Sequence, residues 1–443
     1  MTDLDLSINW GKYTKTLAGP PAIKLQGRIA KVTGIVAEAD GPGLGVGSLC
    51  SIENSEGPDI AAEVVGFRDN RVIVMPFGEM RGIKPGSRIV HVSARPTVAV
   101  GMNFLGRVVD GLGNPLDGKG ALETESEFPL YSEVLNPLKR RIIGDVLDVG
   151  VRSINALTTI GKGQRIGIMA GSGVGKSVLM GMIVRNTSAD VVIVALIGER
   201  GREVREFLER NLGEDGLQKS VAVVATSDAP ALTRIRGAYY ATALAEYFRD
   251  QGKDVLLIMD SITRFAMSLR EVGLAVGEPP SAKGYTPSVF AQIPKLLERA
   301  GTVEKQGSIT GIYTVLVEGD DMNEPIADAV RSIVDGHVVL SRALAHRGHY
   351  PAIDVLASIS RVMNDIVEQD HRDHAQRLVN VLATYREAED LINIGAYVDG
   401  SDTQIDLAKK MIGNINGFLQ QGIHQKATFE ESLTGLKGLF SEN

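Results

Sequence analysis

Arg165-Ile-Gly-Ile-Met169 runs into Ala170-Gly171-Ser172-Gly173-Val174-Gly175-Lys176-Ser177, and that loop opens onto Val178-Leu-Met-Gly-Met-Ile-Val184. An apolar run of strand length, a glycine-rich turn and an apolar helical pattern follow one another without a break. Glycines at this spacing let the backbone curl until successive N–H groups point inward, and a helix N-terminus adds partial positive charge at the same place. Such a cradle suits phosphate oxygens. Lys176 is positioned to neutralise the β- and γ-phosphates of a nucleoside triphosphate, and the Ser177 hydroxyl to be a ligand of its magnesium ion. Ala170 stands where the strict pattern has its first glycine. Ala170, Gly171, Ser172, Gly173, Val174, Gly175, Lys176, Ser177 and Val178 are thus the expected nucleotide-binding residues.

Outward from this loop, apolar runs ending in Gly or Asp alternate with longer helical patterns: Gln164 to Ala170, Asp190 to Gly198, Ser220 to Thr226, Asp254 to Asp260 and Ser308 to Val317. Alternating strand and helix predicts an α/β fold with a mainly parallel, doubly wound sheet around the P-loop, over residues 95–371. Before it, over residues 20–94, short runs such as Arg71-Val-Ile-Val-Met-Pro76 lie between Gly, Pro, Asn and Asp clusters. That spacing predicts a β-barrel. Residues 372–443 carry apolar positions three and four apart and read as a helical C-terminal domain. Residues 1–19 are set apart as an N-terminal segment.

At 443 residues, 44% hydrophobic and 23% charged, the chain has room for two or three domains. A formal net charge of −7 removes the basic excess expected of a dedicated nucleic-acid binder, so no nucleic-acid partner is expected. Cys50, the one cysteine, excludes an internal disulfide and a cysteine-built metal site. The opening MTDLDLSINW is acidic where a signal peptide is basic, and no run approaches the roughly 20 apolar residues of a membrane span. A cytoplasmic protein is expected, peripheral to the membrane only through partners.

A magnesium nucleotide site also needs a carboxylate at the end of a neighbouring strand. Val255-Leu-Leu-Ile-Met-Asp260 supplies an apolar run closing on an acid, which otherwise reads as an N-cap for the helix starting near Ile262. Glu199 follows the run Val191 to Ile197, at the ligand-binding edge of a parallel sheet, where a water-orienting group belongs. Lys139-Arg140-Arg141 reads as a solvated loop face, and His346 and His349 lack the clustered partners of a metal site.

Leu196-Ile-Gly-Glu-Arg-Gly-Arg-Glu203, the phosphate loop and Pro351-Ala-Ile-Asp-Val-Leu-Ala-Ser-Ile-Ser-Arg361 together resemble the ATPase family of rotary ATP synthase subunits and type III export ATPases. Asn136-Pro-Leu-Lys-Arg-Arg141, Gly319-Asp-Asp-Met-Asn-Glu-Pro325 and Tyr385-Arg-Glu-Ala-Glu-Asp-Leu-Ile-Asn-Ile394 resemble its flagellar export branch. The resemblance implies an ATPase using ATP and Mg2+, with catalytic residues Lys176, Glu199, Arg200, Asp260 and Arg361. Glu199 is then the residue that polarises water and Arg200 an arginine facing the γ-phosphate. Ser177, Glu203 and Asp260 surround the metal, Tyr350 stacks on adenine, and Arg361 is a finger reaching into a neighbouring subunit's site. Read alone, Arg361 is a surface arginine paired with Asp365, four positions on.

Lys176, Glu199 and Arg361 on one chain fit a homo-oligomer, by resemblance a hexamer. The resemblance further implies a stator-like regulatory protein docked on the N-terminal segment, a stalk protein, an export gate and chaperone–substrate complexes as partners. The alternatives are a virulence injectisome ATPase, a rotary synthase subunit and a Rho-like RNA translocase. The synthase is disfavoured because Ala388-Glu-Asp-Leu-Ile-Asn-Ile394 replaces its acidic lever sequence, and the translocase because residues 20–93 lack interleaved basic and aromatic residues.

Overall fold

Six runs of four to nine residues, each interrupted by turn-forming residues, pair antiparallel into a closed barrel. In chain order they are Gln26–Thr33, Val36–Asp40, Leu49–Ile52, Ile60–Arg68, Arg71–Pro76 and Arg88–Ser93. Asp69 and Asn70, both at positive φ (45° and 66°), make the two-residue turn that folds the fourth strand onto the fifth, the hairpin geometry that short polar side chains tolerate best. Ile29, Ala37, Ile52, Val64, Val74 and Ile89 fill the barrel interior. Cys50 lies among them, and burial pushes its thiol up to about 11, so it is an inert core residue. The computed structural model describes residues 25–41 and 43–441; the expected docking segment, residues 1–19, lies outside them. The chain divides into two compact units, Met1–Arg95 and Pro96–Asn443.

In the second unit the apolar runs become one sheet. Its order is Ile353–Ser360, Gly336–Leu340, Arg165–Ala170, Ser308–Leu316, Asp254–Asp260, Val191–Ile197, Ser220–Ala225 and Arg107–Asp110, with Gly301–Thr302 paired at the side of Ser308–Leu316. Every pairing along this order is parallel except at the first strand, which runs antiparallel to Gly336–Leu340. Strands 191–197 and 220–225 are buried at every position because both faces are covered, which explains why their sequences read as unbroken apolar runs. Alternate residues serve the two faces: Ile168, Val194 and Ile258 pack with Leu179 and Ile183 of the helix Lys176–Asn186, while Ile193, Leu257 and Tyr313 pack beneath the helix Ala231–Asp250.

The C-terminal region is helical, as the sequence reading anticipates: Gln369–Asn393, Thr403–Leu419 and Phe429–Gly438. Leu378, Met411, Ile415 and Leu436 join the same core face as the helix Lys176–Asn186. Among the described residues, no helix is long and apolar enough to cross a membrane.

Candidate functional site

The parallel strands all end at one edge, and the predicted chemistry, Arg361 apart, collects there. The strand Arg165–Ala170 passes into the loop, where Gly173 and Gly175 adopt positive φ (77° and 93°), conformations that glycine enters without steric cost. Gly175 is the N-cap of the helix Lys176–Asn186, so Lys176 stands in its first turn. Val174 is buried and anchors the loop, whereas Ser172, Gly173 and Ser177 are exposed to incoming ligand and Val178 is half-buried.

Asp260 ends the strand between those of Ser308–Leu316 and Val191–Ile197, and it is not the N-cap of the following helix. Ser261 takes that role, accepting from the Arg264 N–H. The Asp260 carboxylate instead receives the Lys176 ammonium and, at 2.6 Å, the Thr314 hydroxyl. The same ammonium lies 3.7 Å from Glu199 Oε1, and the three side chains are 11% (Lys176), 14% (Glu199) and 4% (Asp260) exposed. One cation thus faces two carboxylates in a largely dry recess. Burial first, and the charge of Asp260 second, push the Glu199 carboxyl up to about 7, against the opposing pull of Lys176. A hydrogen bond with Glu203 acts in the same upward direction.

Arg200 begins the helix Gly201–Glu206, with its guanidinium turned outward and 3.5 Å from Glu203. Tyr350 is 47% exposed and lies against the phosphate loop, since a Cβ at Gly175 would sit 3.6 Å from its ring. Arg361 does not join this group. The strand leading to it runs backwards, so Ile353 is level with Leu340 and Ala170, while Arg361 donates its N–H to Asp335 at the level of Arg165. Five strand residues separate those levels, about 17 Å. Among the described residues the Arg361 side chain forms no ion pair, so the expected partner Asp365 does not hold it.

Several neighbours escaped the sequence reading. Thr314 is one; it is one of several hydroxyl residues in the central strand Ser308–Leu316, so no signal in the sequence singles it out. Arg342 and Asp320 pair at 3.3 Å, and both reach Gly171, where a Cβ would lie 2.7 Å from the guanidinium and 2.8 Å from the carboxylate. Gln421 donates its N–H to the Tyr350 carbonyl at 3.0 Å and accepts from the Arg152 N–H at 2.8 Å, tying the C-terminal helices to the residue beside the loop. Within Lys139-Arg140-Arg141, Lys139 and Arg141 are exposed, as expected, and Arg140 is half-buried. Arg140 donates to the Ala300 carbonyl at 2.9 Å and Arg141 to that of Val303 at 2.9 Å.

Comparison with known proteins agrees with this geometry. The nucleotide-binding domain of the ATP synthase alpha/beta family matches residues 150–360, its beta-barrel domain residues 29–92, and the T3SS EscN ATPase C-terminal domain residues 367–438. The chain is similar to the flagellum-specific ATP synthase of Bacillus subtilis strain 168, at 53% identity over 94% of this chain and 95% of the relative. It is 50% identical to that of Pseudomonas aeruginosa, over 97% and 96%. Among solved structures it is similar to the assembled ATPase EscN of the enteropathogenic E. coli type III secretion system, with a TM-score of 0.89, 46% identity, and 93% of this chain and 99% of that one covered. EscN is also solved in complex with its central stalk EscO, where the TM-score is 0.87 at 46% identity and the coverage again 93% and 99%.

Proposed function

The chain belongs to the family of flagellum-specific ATP synthases and type III secretion ATPases, and from that premise we propose that it hydrolyses ATP to power flagellar protein export. The observation that carries the reading is the Lys176 ammonium set between Asp260 and Glu199 at the mouth of a left-handed glycine loop. Lys176 and the loop N–H groups bind the triphosphate, and Glu199 in its ionised form orients the attacking water. Tyr350 offers its ring to the base. Arg200, outward-facing and 3.5 Å from Glu203, is the arginine assigned to face the γ-phosphate.

A magnesium ion fits the donors present: the Ser177 hydroxyl, Asp260 and Glu203 offer hard oxygens, and carboxylates outnumber the nearby ammonium. Mg2+ binds through one or two carboxylates, waters and substrate phosphates rather than an all-protein cage. When bound, it offsets charge on the phosphoryl group.

Arg361 completes the site of an adjacent subunit in a head-to-tail homo-oligomer, a hexamer by family. Its separation from its own phosphate loop supports that role. The expected surroundings are cytoplasmic, at the inner face of the membrane export apparatus, with a stalk protein, an export gate, chaperone–substrate complexes and a regulator on residues 1–19 as partners. Mixing Lys176→Ala with Arg361→Ala protein tests the shared site: each alone is inactive, and mixed rings recover part of the turnover. Mixed rings without recovery refute the trans role. A deletion strain lacking external filaments and motility supports flagellar export, whereas intact filaments with lost effector secretion favour the injectisome.

A further inference from the structure

Tyr350 lies against the phosphate loop on a single polar tether. Among the described residues it makes one hydrogen bond, in which its carbonyl accepts from the Gln421 N–H at 3.0 Å. The ring is 47% exposed, so burial alone does not locate it. Pro351 and Ala352 are buried and hold the chain that follows, and the bond from Gln421 fixes the plane of the peptide that joins Tyr350 to them.

Gln421 stands just past the helix Thr403–Leu419, is 5% exposed, and has both amide donors and its amide carbonyl engaged. Its Oε1 accepts from the Arg152 N–H at 2.8 Å, and its Nε2 donates to the carbonyls of Gly150 at 2.8 Å and Gln425 at 2.7 Å. The Arg152 N–H is one of the donors a helix leaves unpaired at its start, here the helix Arg152–Leu157, and Gln421 satisfies it. The platform beneath is firm: Val149 and Val151 are fully buried, and the Gly150 carbonyl also accepts from the Ala427 N–H at 3.2 Å. On either side of Gln421, Arg152 donates to the Phe418 carbonyl at 3.0 Å and Arg185 to that of Ile423 at 2.7 Å. A buried polar network with its members satisfied holds one geometry, so the Gln421 N–H is presented to Tyr350 at a fixed place.

We propose that Gln421 is a positioning residue for the base of the nucleotide: through the Tyr350 carbonyl it sets the ring over the loop, and the affinity for the base depends on its amide. The proposal rests on the reading of Tyr350 as the residue that takes the base. None of the hydrogen bonds of Gln421 goes to Lys176, Glu199 or Asp260, so its action falls on the base and leaves the phosphates and the attacking water alone.

The test compares wild type, Gln421→Ala, Gln421→Glu, Tyr350→Ala and the double variant Gln421→Ala/Tyr350→Ala. Glu keeps the shape and the acceptor for Arg152, but turns an oxygen toward the carbonyls of Gly150 and Gln425 where an N–H stood. Steady-state hydrolysis is measured with binding of a non-hydrolysable ATP analogue and of tripolyphosphate, both with Mg2+, at temperatures where thermal unfolding shows each variant folded. Each Gln421 variant is expected to raise the KM for ATP and weaken the analogue about tenfold, with kcat little changed and tripolyphosphate bound as by wild type. The double variant should bind the analogue no more weakly than Tyr350→Ala, because the two residues act in series. Gln421 variants with wild-type KM overturn the proposal. So do losses that add up in the double variant, or a tripolyphosphate affinity that falls with that for the analogue, since either means that Gln421 only supports the fold. Should Gln421→Glu fail to fold, Gln421→Ala, which only removes atoms, decides. A Tyr350→Ala protein that binds the analogue as wild type does refutes the base-binding reading and the proposal with it, whereas unchanged Gln421 variants beside a weakened Tyr350→Ala refute the proposal alone.

Discussion

Glu199→Gln separates the charge of this side chain from its shape. The Glu199 carboxyl is 14% exposed, and burial beside Asp260 raises it from the ordinary 4.5 to about 7. The sign follows from proton counting: a raised carboxylate in the folded state means that the folded chain binds protons more tightly than the unfolded one. Below about pH 4.5 both states are protonated and Glu199 contributes nothing. Between about 4.5 and 7 the unfolded chain releases a proton that the folded chain keeps, so stability falls with rising pH. Above about 7 both are ionised, and the folded state carries the whole penalty, about 3 kcal/mol at about 1.4 kcal/mol per tenfold change in proton affinity. Gln removes that penalty while filling the same space. Thermal and urea unfolding without nucleotide should show the variant equal to wild type near pH 4.5 and more stable by about 1–3 kcal/mol near pH 8. Hydrolysis should fall by about 10²–10⁴ at the same time, since the amide cannot act as a base. In the wild type, kcat/KM should climb with pH and level off above about 7, the range in which Glu199 is ionised. A stability difference that is flat with pH, or that favours wild type in alkali, would refute the reasoning.

Thr314→Val keeps the volume of a fully buried side chain but deletes the 2.6 Å bond to Asp260; kcat/KM should fall about tenfold to a hundredfold, and Thr314→Ser should restore it. Tyr350→Ala removes the ring lying over Gly175, and the KM for ATP should rise about tenfold with kcat little changed, while Tyr350→Phe stays near wild type. Glu246→Ala strands the Arg299 guanidinium, which is 2% exposed and bonded to Glu246 at 2.6 and 2.8 Å; thermal unfolding should report a loss of about 3–5 kcal/mol, with nucleotide affinity unchanged at temperatures where the variant is folded.

The parts of this molecule legible in its sequence are those whose physics is local. The turn between the strand ending at Ala170 and the helix starting at Lys176 was legible because glycine spacing, an apolar run and a helical period all lie within about 20 residues. The central strands were legible because a sheet covered on both faces demands unbroken apolar runs. Thr314 was not, since its meaning depends on Asp260 in the neighbouring strand, and no spacing rule connects them. Gln421 and Arg342 failed to register for the same reason: each acts on a residue far away in the chain. Arg140 looks solvated to any local rule, and only its bond to the Ala300 carbonyl, far along the chain, shows that it is half-buried. The helix Phe429–Gly438 carried a readable sign, the reciprocal cap of Thr428 and Glu431, in a stretch with few apolar residues.

One reversed strand has a consequence for economy. Because Ile353–Ser360 runs against its neighbours, each molecule carries its arginine on the far side from the fuel it would help to burn. On the proposed action of Arg361 in a neighbour's site, a solitary molecule is a lock without its key, and full turnover waits on company. Throttling by population would then need no inhibitor and no modification: on that proposal, dilution alone holds the enzyme quiet, and crowding at a point of use switches it on.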